Sequence, residues 1–292
     1  MKDSEEITDV IDFPCVVTDN QNKVLCWYFP EVLDAEAQVS AHAFAEILLT
    51  PPQEPSNRAG VSWRVDAQYF RKPEDCEVPP GAITFAPVWH ESGKPHSKYP
   101  PAVGAAWRDF QSTPEFQAWS DGMTALRDMF VTTAAICHPI QLMQTYNCET
   151  RLTETEAFAS AVRTWNYPSH GLAFISNRQT PLHRDRKTST TMYDTLVTCG
   201  RYSDGDFMIA EVGLRFRYKP GTMITLAGGL LRHGAEVEDG ERVVIASFMR
   251  QELMDAMDVA CSALADVKDL ALDAYEWLKV MEGVLSGKPA DQ

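Results

Sequence analysis

The chain has 292 residues, 45% hydrophobic and 23% charged, with a formal net charge of −15. Its length fits one large domain or two small ones, and its apolar and aromatic content excludes disorder as the main state. No apolar run approaches the roughly 18 residues of a membrane span, and the acidic start MKDSEEITDV is no secretory or transit segment, so an intracellular protein, nuclear or cytoplasmic, is expected.

Residues 13–18 and 23–29 predict a hairpin with Asp19-Asn20 in its turn. Residues 34–50 predict a helix capped by Asp34 and stopped by Pro51-Pro52. From 51 to 104 the chain is rich in proline and glycine, and its two short apolar runs read as edge strands or packed loops. Residues 104–138 predict a helical stretch, with Thr113 as an N-cap, Pro114 at the first helical position and Leu126, Met129, Phe130 and Val131 on the apolar face.

Between 171 and 250 the runs GLAFISN, MYDTLVTCG, DFMIA, GLRFRY, TMITLAG and RVVIASFM are short, β-branched and aromatic. Gly, Pro, Asp or Asn separates them at intervals of about ten residues. That spacing predicts an antiparallel sandwich or small barrel rather than an alternating α/β fold. Residues 251–285 predict a long amphipathic helix, with Leu253, Met257, Ala260, Leu264, Val267, Ala271, Ala274 and Leu278 at spacings of four and three. The expected organisation is one integrated domain: a helical and irregular support region over 1–162, a catalytic core over 163–250 and an amphipathic helix over 251–292. That helix packs on its own core or on a second subunit, which leaves the oligomeric state open.

Charge is uneven: residues 1–162 carry net −12, residues 163–250 net +3 and residues 251–292 net −6. The total weighs against a nucleic-acid partner. The basic middle fits either ordinary solvated faces or a site for an anionic substrate. The seven cysteines form no CxxC pair and several sit in apolar runs, which reads as reduced thiols.

The chemistry concentrates in Thr180-Pro-Leu-His183-Arg-Asp185. On an extended chain residues two apart share a side, so His183 and Asp185 present an imidazole and a carboxylate together. His233 follows 48 residues after Asp185. Two histidines and one carboxylate are the facial triad of non-haem Fe(II) oxygenases. Nine residues after His233, Arg242 offers a guanidinium for a distal carboxylate, or else a surface ion pair with Glu236 or Glu238. An HxD segment alone is a weak signal; joined to a distal His and a downstream Arg, each bounded by strands, it is stronger. His42, His90, His96, His138 and His170 read as structural, and Cys199 as a core thiol. No nucleophile elbow or Gly-rich phosphate loop is present.

The segments HRD, CGRYSDGDF, GLRFRY-K-PGT, LLRHG and ERVVIASFMR together resemble the fungal TET/JBP-like Fe(II)/2-oxoglutarate dioxygenases, over about 171–250. The resemblance implies an α+β fold: a double-stranded β-helix (jelly-roll) core with flanking N-terminal helices and a C-terminal helix. It implies Fe(II) held by His183, Asp185 and His233, 2-oxoglutarate held by Arg242 through its C5 carboxylate, and O₂ as the other cosubstrate. Such enzymes convert 2-oxoglutarate to succinate and CO₂ while hydroxylating a substrate C–H bond. Well-studied members oxidise the methyl group of a modified base flipped out of DNA. Several positions depart from the pattern that meets the base. Val244 stands where a hydroxyl residue is expected, Arg250 where a histidine is, and Thr188 where an asparagine is. Phe248 keeps an aromatic ring for a planar substrate, and Arg186, with Arg184 and Lys187, adds positive charge beside the iron ligands. Two substrates are therefore expected in turn: a methylated base in DNA (5-methylcytosine or N6-methyladenine), or a free amino acid or secondary metabolite on the same iron site.

Overall fold

The computed structural model describes residues 10–48, 55–91, 93–94, 98–237 and 239–271. After a short strand β1 (Val10–Ile11), the expected hairpin forms from β2 (Cys15–Thr18) and β3 (Val24–Phe29). The Asp19 carboxylate closes its turn by accepting the backbone N–H groups of Gln21 and Lys23, both at 2.8 Å. Asn22 takes the left-handed conformation, which asparagine tolerates. Helix α1 (Ala35–Leu48) is capped as expected: Asp34 Oδ1 accepts from the Ala37 N–H at 2.8 Å. Its proposed stop at Pro51-Pro52 lies outside the described residues.

In the Pro-rich segment, β4 (Gly81–Phe85) becomes an edge strand of the main sheet, while β5 (Val88–Trp89) and β6 (Ala102–Val103) pair with each other. The helical stretch expected over 104–138 is three helices: α2 (Ala105–Gln111), α3 (Phe116–Gly122) and α4 (Thr124–Cys137). Thr113 is not an N-cap. Its hydroxyl donates back to Phe110 O at 2.8 Å, and α3 begins only after Glu115. Pro114 disfavours helical geometry at the residue before it, so the chain turns there instead of starting a helix. Two further helices follow, α5 (Pro139–Thr153) and α6 (Glu156–Arg163). Pro139 opens α5 at its first turn, where a missing N–H costs nothing.

The remaining strands are β7 (Gly171–Ser176), β8 (Thr180–His183), β9 (Asp194–Arg201), β10 (Gly205–Ile209), β11 (Leu214–Arg217), β12 (Met223–Leu226), β13 (His233–Val237) and β14 (Glu241–Phe248). They form two sheets, ordered β2-β3-β12-β9-β14-β7-β4 and β1-β11-β10-β13-β8. Every pairing is antiparallel except β1 with β11. Neither sheet closes on itself, so the double-stranded β-helix expectation holds as an open pair of sheets with helices against one of them.

Strand periodicity sorts the side chains of the larger sheet. Val243 and Ile245 of β14, Val197 and Cys199 of β9, and Leu172 and Phe174 of β7 join the core beneath α1 to α4 and α6. Their alternating neighbours, including Arg242, Val244, Ala246 and Phe248, face a cavity between the sheets. Trp107, Trp119 and Trp165 are fully buried in the helical layer, and the Trp107 and Trp165 rings meet edge to face at 5.0 Å. Each such pair adds about 0.5–1.5 kcal/mol beyond area burial.

The long helix expected over 251–285 is corrected. Helix α7 spans only Gln251–Ala256. Asp258 adopts the left-handed conformation, and the Asp258 and Val259 N–H groups donate back to Asp255 and Met254 carbonyls, an αL helix stop normally built on glycine. Arg151 Nη1 then holds the Met257 and Asp258 carbonyls at 2.6 and 2.7 Å. The chain continues as an extended strap: Val24 N donates to Ala265 O at 2.8 Å, Ala265 N to the Tyr193 hydroxyl at 3.0 Å, and Val267 N to Asn22 O at 2.9 Å. A short 3₁₀ turn covers Val267–Ala271. The apolar positions that look helical by spacing therefore include strap residues pinned to the hairpin, and 272–285 lie outside the described residues. No described helix is long and apolar enough to cross a membrane. All seven cysteines are free, and burial pushes the Cys199 thiol up to about 12.

Candidate metal centre

His183 ends β8 and His233 begins β13, and the two are direct register partners. Their rings lie 4.4 Å apart. Asp185 sits just beyond β8, anchored by its N–H on Gly228 O at 2.9 Å. Gly228 and Gly229 permit this approach. A Cβ on Gly228 would lie 3.2 Å from both Asp185 Oδ2 and Asp194 Oδ2, and one on Gly229 would lie 2.6 Å from Thr188 O. The three side chains converge: one ligand atom from each of His183, Asp185 and His233 falls within 4.8 Å of the others.

Hydrogen bonding defines what this cluster accepts. His183 donates through Nδ1 to Pro181 O at 3.0 Å, and His233 through Nδ1 to Leu231 O at 3.1 Å. Each ring therefore turns Nε2 toward Asp185, at 3.4 Å in both cases. In the neutral ring Nε2 carries a lone pair, so two lone pairs and a carboxylate face one point. That set suits a divalent cation, with backbone carbonyls fixing the tautomers behind it. Burial works against the charged forms, yet the two imidazoles hold Asp185 well below the usual carboxylate range, and Asp185 raises His233. Neighbouring Asp194 is pushed up to about 7 by burial and by the Asp185 charge.

Arg242 is 4% exposed and faces the cavity from β14. Its Nη2 donates to Arg178 O, while its buried Nη1 has no hydrogen-bond partner. Among the described residues it forms no ion pair. The surface pair with Glu236 is thereby excluded, and Glu238 lies outside the described residues. The guanidinium packs on Tyr218, 5.6 Å from the ring centroid. A buried cation with a free donor aimed at a cavity fits one carboxylate of a dicarboxylate ligand.

Sequence reasoning missed three residues. Arg64 Nη2 reaches Asp185 Oδ1 at 2.8 Å, and Trp63 lies 4.5 Å from the His183 ring. Arg178 and Arg64 both pack on Trp63, at 4.8 and 4.4 Å. Burial and the nearby Arg64 and Arg242 charges push Arg178 down to about 9. No period or motif marks these residues; a Trp-Arg pair in a Pro-rich loop is the only hint.

The cavity measures about 960 Å³ and reaches all the singled-out residues. Eight Arg and Lys side chains line it against two carboxylates, Asp185 and Asp194. Phe248 and Val244 face it from β14, and Arg250 follows the strand. The Thr188 hydroxyl is buried and already sits 3.1 Å from Asp194 Oδ2 and 3.2 Å from Met249 O. Arg186 and Lys187 are exposed at the margin. Arg184 is engaged by Glu211 at 2.6 Å. Of the other histidines, His138 bonds Ala263 O and His170 accepts the Arg250 N–H through Nδ1, both structural roles. His42 and His90 lie away from the cluster, and His96 is outside the described residues.

A family model for the Tet_JBP oxygenase domain of the 2OGFeDO superfamily matches residues 103–251, just over half of the chain. The chain belongs to the Tet_JBP family. With the two-histidine, one-aspartate cluster, this makes it an Fe(II)/2-oxoglutarate-dependent oxygenase. The match begins at 103 and so includes α2 to α6 and strands β7 to β14, but not β1 to β4. The solved structure of NgTET1 in complex with 5mC DNA has the same fold, with a TM-score of 0.55 at 14% identity, covering 89% of this chain and 84% of that one. A dioxygenase for auxin oxidation in rice aligns at a TM-score of 0.39 and 11% identity, over 92% of this chain and 88% of that one. No curated protein matches the sequence.

Proposed function

We propose that this Tet_JBP oxygenase hydroxylates a C–H bond of a small molecule bound in the cavity between the sheets. His183, Asp185 and His233 hold Fe(II), and Arg242 holds the distal carboxylate of 2-oxoglutarate. The observation that carries the cosubstrate assignment is the buried Arg242 guanidinium, with a free donor and no carboxylate partner among the described residues. Iron with 2-oxoglutarate and O₂ supplies the oxidising power for C–H hydroxylation, with succinate and CO₂ as the co-products. The protein's own residues do the rest. Pro181 and Leu231 carbonyls fix the ligand tautomers. Trp63 packs on the His183 ring and Arg64 pairs with Asp185, so both border the metal cluster. Phe248 gives the substrate an apolar surface at the cavity wall.

The net charge of −15 supports a small substrate, because contacts to the phosphates dominate affinity for a duplex. A methylated base in DNA is the second reading. It is favoured by Phe248 at the cavity and by the exposed Arg186 and Lys187 at its margin, which suit phosphate contacts.

One reaction separates the two. The protein is given Fe(II), 2-oxoglutarate, O₂ and a duplex carrying methylated cytosine and adenine, and mass spectrometry follows succinate and the nucleosides. Oxidised or demethylated bases that vanish in His233→Ala would establish the DNA reading. Succinate with unchanged bases would leave the small-molecule reading. Asp185→Ala should abolish both metal binding and succinate formation, and full activity in that variant would sink the metal assignment.

A further inference from the structure

Arg250 is a second, half-buried cation at the cavity, distinct from the cosubstrate clamp. It stands two residues after Phe248, just past the end of β14. Its guanidinium carbon lies 4.6 Å from the ring centroid of Phe248 and 4.6 Å from that of Trp89. Two aromatic faces therefore fix the plane of the fork. The backbone N–H of Arg250 donates to His170 Nδ1 at 3.0 Å, and the buried His170 ring holds that point of the chain in place. Yet Nε of Arg250 is buried without a hydrogen-bond partner, and among the described residues no ion pair involves this guanidinium. The sequence has 41 Asp and Glu to 26 Lys and Arg. The Asp194 and Glu252 charges act on it without an ion pair among the described residues, and a guanidinium so placed on a cavity wall is an open anion site.

2-Oxoglutarate does not fill it. Arg242 and Phe248 are six residues apart on one extended strand, about 20 Å along the chain, and Arg250 lies farther on. A five-carbon diacid anchored at Arg242 and at the metal cluster does not reach that end. We infer that Arg250 is the residue that selects the substrate, and that the substrate is a small molecule carrying a carboxylate or phosphate beside a group that stacks on Phe248. This rests on the small-molecule oxygenase reading above.

The test uses protein loaded with Mn(II) and saturating 2-oxoglutarate, titrated calorimetrically with paired probes: phenylacetate against phenylacetamide, and phenyl phosphate against phenol. In at least one pair the anion should bind about ten-fold tighter or more, as expected for a hydrogen bond to a charged group. The pair that shows the preference assigns carboxylate or phosphate. Arg250→Gln should abolish the preference, Arg250→Lys should keep part of it, and Arg108→Gln, at an exposed position of α2, should leave it intact. No preference in either pair, or one that survives Arg250→Gln, overturns the inference while leaving the oxygenase reading standing. Arg250-dependent binding of a methylated duplex with no preference among small anions overturns it too, by moving the anion to a nucleic-acid backbone. Failure of 2-oxoglutarate itself to bind the Mn(II)-loaded protein overturns the oxygenase reading and this inference together.

Discussion

Replacing Arg242 with Met sets two energies against each other. In the ligand-free protein the guanidinium is buried with one donor unmet, so removing its charge relieves about 1–4 kcal/mol of desolvation. The same change orphans the Arg178 carbonyl that Nη2 serves, which costs about 1–3 kcal/mol. These largely cancel, so the apoprotein should shift by no more than about 3 kcal/mol in either direction, a few degrees in Tm for a chain of this size. The 2-oxoglutarate complex has no such compensation. Losing one partner of a buried charge pair costs about 2–5 kcal/mol, at least about 30-fold in affinity. Differential scanning fluorimetry on the Mn(II)-loaded protein, with and without 2-oxoglutarate, reads both quantities. The expected result is a near-normal apo Tm with the ligand-induced shift gone. A variant that keeps the full shift would refute the clamp, whatever its apo stability.

Gly171→Ala would set a Cβ 2.4 Å from Phe248 Cζ and 3.0 Å from the Phe85 carbonyl, forcing the ring off its position at the cavity wall. Urea denaturation should show a loss of about 1–3 kcal/mol; an unchanged midpoint would mean the ring moves freely. His138 is buried, and burial lowers its pKa from 6.5 to about 4 while its Nε2 donates to Ala263 O at 2.9 Å. The folded state therefore binds fewer protons than the unfolded state between those values, and stability falls as pH drops through that window. The expected loss from this group is about 2 kcal/mol between pH 7 and pH 5. His138→Asn should flatten that slope in urea titrations at the two pH values, and an unaltered slope would assign the acid sensitivity elsewhere.

The parts of the site that share a short stretch of strand were legible in the sequence. His183 and Asp185 lie two apart, and a β-rich context turns that spacing into a shared face. His233 and Arg242 each sit where a strand begins, so the order of strands carried them to the same cavity. The β2–β3 hairpin and the Asp34 cap were equally local. Trp63 and Arg64 were not legible, because their contacts with the metal cluster are made by an irregular loop with no period, and Arg178, between β7 and β8, meets the site only through Trp63 and Arg242. Helix α5 hid for another reason: Gln141 and Thr145 occupy its buried face, so its hydropathy pattern is broken. The helix expected beyond 256 failed because an αL stop on Asp258 carries no glycine to announce it. A spacing of threes and fours does not distinguish a helix face from a strap whose side chains meet the core one at a time.

That strap has a consequence for how the chain reaches its native state. Strand β3 has one local partner, β2, while its other partner is β12, almost 200 residues later. The N–H of Val24 waits longer still, for the Ala265 carbonyl, and the Tyr193 hydroxyl that donates to Val24 O at 2.6 Å also accepts from Ala265 N. Strands β2 and β3 are thus completed by residues that follow far later in the chain. Loops of this length must close before their contacts repay the lost entropy, which slows folding. Until then the β2–β3 ribbon has an unpaired edge, the kind of surface that invites pairing between chains. Pulse-labelled hydrogen exchange should find the Val24 amide protected in the same late phase as Ala265. Protection of Val24 well before Ala265 would show that the hairpin finds its order without the strap.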